Sequence, residues 1–160
     1  MLNDKDKKHL QRCIELAAEA LAAGDEPFGS VLVDADGTVM NEDRNRANTV
    51  DATYHPETAV ARWAAQNMTA DARTQATVYT SGEHCAMCSA AHAWAGLGRI
   101  VYISSSKQLG EWMAEIGATS SSPISSLSIQ EVAPNIPVEG PIAGLDEQVK
   151  ALQIRAQKRN

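Results

Sequence analysis

Tyr79-Thr80-Ser81-Gly82-Glu83-His84-Cys85-Ala86-Met87-Cys88, answered upstream by His55-Pro56-Glu57, decides how this chain folds. A short strand pattern at 77–80 gives way to two cysteines, then to a small-residue helical pattern from Ala86 to about Ala95, ended by Gly96-Leu97-Gly98. His55 stands before a second helical pattern over 56–67, with Ala59, Val60, Trp63 and Ala64 on one side and proline at the favoured first position. Each half of the pair therefore opens a helix. Cys85 and Cys88 lie one turn apart, so both thiolates can share a face. Pro56 biases His55 toward an extended, cap-like backbone that leaves its imidazole free to point across. Two thiolates and one imidazole fill three corners of a tetrahedral zinc and leave the fourth open, the pattern of a catalytic site rather than a structural one. Glu57 is not needed as a ligand and is placed to move protons. One zinc per chain is expected, on His55, Cys85 and Cys88.

The same residues admit other assignments. A lone C-x-x-C also serves as a structural zinc half-site, here recruiting His84 or His92, or as a redox pair. A redox pair leaves His55 and Glu57 without a role. His92 sits among alanines as a helix-packing residue, and His9 reads as an exposed position on the first helix.

Outward from these motifs, strands and helices alternate, as in a layered α/β domain. The periodicity predicts a helix over 4–23, a hairpin of strands 30–33 and 38–41 turning at Asp34-Ala35-Asp36-Gly37, and a polar loop over 45–53. Arg99 to Ile103 is an unbroken apolar strand expected to be buried on both faces. Beyond Ser104 the pattern suggests a helix over 108–116, a Ser-rich loop over 119–122, a strand over 128–132 and a closing helix over 146–157. The basic tail, Arg155, Lys158 and Arg159, reads as the last turn of that helix. The expected organisation is one domain over 1–160, its motif-bearing core at about 10–103.

The 160 residues carry a formal net charge of −6, which argues against nucleic acid as a partner. No apolar run reaches membrane-spanning length and the charged N-terminus lacks a signal-peptide core. Three cysteines make no disulfide framework, so the cytoplasm is the expected compartment.

The chain resembles the cytidine deaminase-like superfamily, and within it the guanine deaminase and tRNA adenosine deaminase branch. The resemblance runs from about Leu10 to Ile103. It is carried by Pro27-Phe28-Gly29-Ser30-Val31-Leu32-Val33, Asn45, His55-Pro56-Glu57, Tyr79 through Cys88, and Ala91-His92-Ala93-Trp94-Ala95. Two positions depart from its pattern: Pro56 replaces a small residue, and His84 replaces proline. For His84 the choice lies between altered substrate recognition and a surface ring.

The resemblance implies a three-layer α/β/α fold with a five-stranded mixed sheet, zinc at paired helix starts, and a homodimer or larger assembly. It implies a hydrolytic deaminase in which Glu57 shuttles protons between water, a ring nitrogen and departing ammonia. Among substrate contacts, Asn45 would hydrogen-bond the base, Trp94 would pack on a purine, and Phe28 would lie near the pocket floor. Glu111 or Glu115 would supply a second carboxylate. Core packing is the alternative for both aromatics, and surface helix charge for both glutamates. The expected substrate is a free nucleobase or related aminoheterocycle, with guanine, an aminopurine or an aminotriazine foremost. The alternatives are a tRNA adenosine, cytosine or nucleoside substrate, or a non-catalytic zinc-stabilised module.

Overall fold

The computed structural model describes residues 2–119 and 121–159. The first helix, α1 (Asp4–Ala22), begins at an Asn3 cap whose side chain and that of Asp6 exchange hydrogen bonds with each other's backbone. It buries Leu10, Cys13, Ile14 and Ala17 against the hairpin of β1 (Gly29–Val33) and β2 (Val39–Arg44). His9 is only 8% exposed and packs on Tyr79 at 5.0 Å between ring centroids, correcting its assignment to the surface.

Next come α2 (Pro56–Asn67), a short α3 (Ala70–Gln75), β3 (Thr77–Gly82), α4 (Ala86–Trp94) and β4 (Arg99–Ser104). They are followed by α5 (Ser106–Glu115), α6 (Ile129–Val132), β5 (Val138–Glu139) and α7 (Asp146–Lys158). The sheet order is β2-β1-β3-β4-β5, with β1 antiparallel to both neighbours and the β3–β4 and β4–β5 pairs parallel. This is the expected mixed five-stranded sheet with a helical layer on each face.

Alternation along the strands assigns the layers. Val31, Val33, Tyr79, Val101 and Ile103 face α1, α5 and α7. Leu32 and Val78 face α2 with Val60, Ala61 and Ala64. All of β4 but Arg99 is buried, as its apolar run predicts. Gly29 lets β1 pass directly beneath α1: a Cβ there would come within 2.5 Å of Cys13 O and Leu16 Cβ.

The C-terminal part differs from expectation at one element. Residues 129–132 form α6, not a strand, because Ser128 and Glu131 build a local capping box and Ile129 is drawn into the core beside Ile100 and Tyr102. The last strand is the two-residue β5 instead. The predicted 119–122 loop has no regular structure at 119, 121 and 122, while Ser120 lies outside the described residues. Arg155 and Lys158 close α7 as the tail predicts.

Candidate metal centre and active site

His55 caps α2 with an extended backbone (φ −97°, ψ 140°) and Pro56 follows at the first helical position. Cys85 caps α4 in the same way (φ −68°, ψ 175°). The two helices pack side by side, so both caps meet at one end of the layer. Cys85 Sγ lies 3.6 Å and Cys88 Sγ 3.5 Å from His55 Nδ1. A tetrahedral ion with bonds of about 2.3 Å to sulfur and about 2.0 Å to nitrogen would hold S and N about 3.5 Å apart. The donor set and its edges therefore fit zinc. Among the described residues these three are the group of potential ligands that converges, all within 4.8 Å of one another. His84 and His92 stay outside it, which removes the structural Cys₂His₂ assignment.

The electrostatics follow from burial and contact. Hydrogen bonding to Cys85 holds the His55 imidazole above its usual range. Cys85 is lowered to about 4, chiefly by a hydrogen bond from Cys88, with His55 adding to it. Cys88 is pushed up as the member of the pair that keeps its proton, reinforced by burial and by Glu57. Metal ligation ionises both thiols, since a coordinating thiol loses its proton.

Glu57, in the first turn of α2, is 5% exposed, and burial raises its carboxyl above the ordinary glutamate range. One oxygen accepts from Thr80 Oγ1 at 3.3 Å and the other lies 3.4 Å from Cys88 Sγ. Thr80 is in turn bonded by Ser30 Oγ at 3.0 Å across the β1–β3 pair. Ser30 and Thr80 have no exposed surface. Their polarity on the face that carries Leu32 and Val78 is accounted for by the carboxylate above them. Thr58 Oγ1 donates to Cys88 Sγ at 3.2 Å. None of these three hydroxyls is among the site residues expected from the sequence. The available signal was Ser30 in the otherwise apolar run of β1 and Thr80 on the same face of β3 as Val78.

An open cavity of about 690 Å³ reaches the centre at His55, Thr58 and Met87, with Tyr54, Asp51 and Trp63 in its wall. Asn45 is 3% exposed; its side-chain oxygen accepts from Ala47 N–H at 2.8 Å and its own N–H donates to Phe28 O at 3.0 Å. Phe28 lies against Gly82, whose Cβ would be 3.0 Å from the ring, so it packs on the approach to Cys85. Neither residue lines that cavity.

Trp94 does not line it either, and at 91% exposed it is not core. Glu111 pairs with Lys107 at 3.6 Å and Glu115 with Lys150 at 3.0 Å, both on the surface of α5. Neither glutamate reaches the centre. His84 is neither a surface ring nor part of the cavity wall. It is fully buried, edge-on to His92 at 5.5 Å, with no hydrogen-bond partner on either ring nitrogen among the described residues. Glu83 holds the N–H of Ser106 at 3.0 Å and of Ile129 at 3.0 Å, the first residues of α5 and α6.

Comparison with known proteins agrees with this geometry. A probable cytosine deaminase of Schizosaccharomyces pombe is 34% identical over 68% of the chain and 65% of its own length. The guanine deaminase of Bacillus subtilis is 37% identical over 58% of the chain and 60% of its own length. The chain thus spans less than two thirds of these relatives. A solved guanine deaminase structure from Nitrosomonas europaea superposes with a TM-score of 0.72 at 18% identity, covering 99% of the chain and 86% of that protein. Residues 3–104, which hold every ligand of the centre, match the family described as the cytidine and deoxycytidylate deaminase zinc-binding region, and the chain belongs to that family.

Proposed function

We propose that this protein is a zinc-dependent hydrolytic deaminase of a free nucleobase or related aminoheterocycle, with guanine, an aminopurine or an aminotriazine foremost. The observation that carries it is Glu57: a buried, protonatable carboxyl against Cys88 Sγ, on the helix that presents His55. A structural zinc needs no such group.

Zinc on His55, Cys85 and Cys88 would supply the Lewis acidity that makes water a nucleophile near neutral pH. Glu57 takes the proton released as water adds to the amine-bearing ring carbon. It passes that proton to the neighbouring ring nitrogen, then moves the proton of the hydroxyl now on the carbon to the amine, which leaves as ammonia as the carbonyl forms. Thr80 holds one carboxyl oxygen still while the other works. The oxygen of Asn45 is committed to Ala47, which leaves the NH₂ group as the part of that buried side chain able to donate to a ring nitrogen or carbonyl.

Relatives named for cytosine, guanine and tRNA adenosine match at 34%, 37% and 32% identity, so identity does not choose the substrate. The Asn45 pattern and the net charge of −6 favour a small uncharged base over an RNA. The chain acts as one domain over 1–160, in a compartment such as the cytoplasm that keeps Cys85 and Cys88 reduced.

A homodimer is part of this reading. Helix α4 buries Cys88, Ser89 and His92, yet leaves Ala93 and Trp94 exposed and Met87, Ala90 and Ala91 half-buried, which is the reverse of a surface helix. A second copy would cover that face, with Trp94 at the contact.

The test is an ammonia-release screen over guanine, adenine, cytosine, their nucleosides and aminotriazines, run with wild type and Glu57→Gln. Release from a free base by wild type, with zinc kept but release abolished in the variant, is the expected result. Full activity in Glu57→Gln would sink the mechanism, and preference for a nucleoside would sink the substrate class.

A further inference from the structure

Thr58 is the third residue of α2, after Pro56 and Glu57. Threonine in a helix commonly spends its hydroxyl proton on the carbonyl one turn earlier. Here the proton goes sideways, to Cys88 Sγ on the neighbouring helix at 3.2 Å.

The two sulfurs are served differently. Cys85 Sγ, at the cap of α4, takes no cap hydrogen bond from its own helix and lies 3.6 Å from His55 Nδ1, itself a ligand. The side-chain hydroxyl that donates to Cys88 Sγ depends on the residue at 58. Among the described residues, the other polar atoms near that sulfur are His55 Nδ1 and Cys85 Sγ, both ligands, and a Glu57 oxygen, which cannot donate when ionised.

We propose that Thr58 is a positioning residue of the metal centre: its hydroxyl holds Cys88 Sγ in place as a ligand and draws electron density from it. The inference rests on the zinc-centre reading of the trio. Two consequences follow. Removing the hydroxyl loosens one of the three ligands, and loss of such an outer partner lowers metal affinity by about 10–100-fold. It also raises the energy of the sulfur lone pair, so the sulfur donates more strongly to whatever metal it binds.

Both consequences are read without turnover. Zinc affinity of the full chain is measured by competition with a chromophoric chelator. The protein loaded with Co²⁺ reports the sulfur-to-metal charge-transfer band. Thr58→Val keeps the shape, and is expected to bind zinc about tenfold or more weakly with the band moved to longer wavelength. Thr58→Ser restores the donor, and is expected within about threefold of wild type with the band near its original position. Thr58→Ala deletes the hydroxyl without a new methyl group and should match Thr58→Val. Normal affinity in Thr58→Ala with a loss only in Thr58→Val would assign the effect to packing and overturn the proposal. Equal affinity and an unmoved band in both would overturn it too. A wild type that takes up no metal would overturn the zinc centre itself and this proposal with it.

Discussion

The buried histidine pair makes acid stability a sharp test of the packing beneath α4. His92 has no exposed surface, donates from Nε2 to Gly98 O at 2.8 Å, and burial lowers its imidazole from 6.5 to about 4. A base whose folded pKa is depressed contributes stability that is present above its unfolded value and lost as pH falls toward the folded one. The window for His92 therefore runs from about 6.5 down to about 4. Between pH 7 and pH 5 the unfolded chain takes up a proton that the folded chain refuses, which removes about 2 kcal/mol. For a chain of this length that is a fall in melting temperature of about 4–8 °C. His84 shifts the same way, again through burial, while the raised Glu57 carboxyl acts in the opposite sense and strengthens the fold as pH falls. The Glu57 contribution and the burial part of the His84 shift are common to both proteins when wild type is compared with His92→Gln, whose amide can still donate to Gly98 O; the smaller repulsion of His84 by His92 is absent from the variant. Urea unfolding of the two metal-free, reduced proteins from pH 7 to pH 5 is the assay. The gap between them is expected to narrow by about 2 kcal/mol toward pH 5. Parallel curves would refute the claim that His92 is held neutral.

Three other outcomes follow from the same contacts. Thr80→Val strips the hydroxyl from one Glu57 oxygen and is expected to lower kcat about tenfold, or about 1.4 kcal/mol, with KM little changed and rescue by Thr80→Ser; an unchanged kcat counts against the positioning of Glu57. Glu83→Gln removes the charge shared by two helix starts and is expected to cost about 1–2 kcal/mol in urea unfolding, with metal binding kept; wild-type stability would show that the clamp carries no weight. Trp94→Ser exchanges the most exposed large apolar side chain for a polar one, so sedimentation should show a shift toward monomer if α4 is a self-contact, and an unchanged profile if it is not.

Much of the architecture was legible because each local signal agreed with its neighbours. Proline after His55, alternation in β1 and the unbroken apolar run in β4 pointed to one layered sheet, and the spacing of His55, Cys85 and Cys88 made the centre readable from residue types alone. What was hidden depended on partners far apart in the chain. Residues 128–132 carry strand-like residues, but a four-residue capping box and the burial of Ile129 decide for helix. Ser30, Thr80 and Thr58 look like ordinary polar positions until Glu57 and Cys88 are placed above or beside them. His84 looked like a departure at the surface because nothing local tells that the residue before Cys85 points inward onto His92.

Glu83 also bears on the order in which the chain assembles. Ser105 and Ser128 cap their own helices within four residues, an interaction that can form as soon as those segments exist. The Glu83 bonds close loops of 23 and 46 residues, so they wait until β3 is in the sheet. The C-terminal helices thus start from local contacts and lock only when the turn that carries Cys85 has been built. Destabilising that turn should speed the detachment of α5 and α6 more than it slows their first appearance, so the last third of the chain refolds around the metal loop rather than ahead of it.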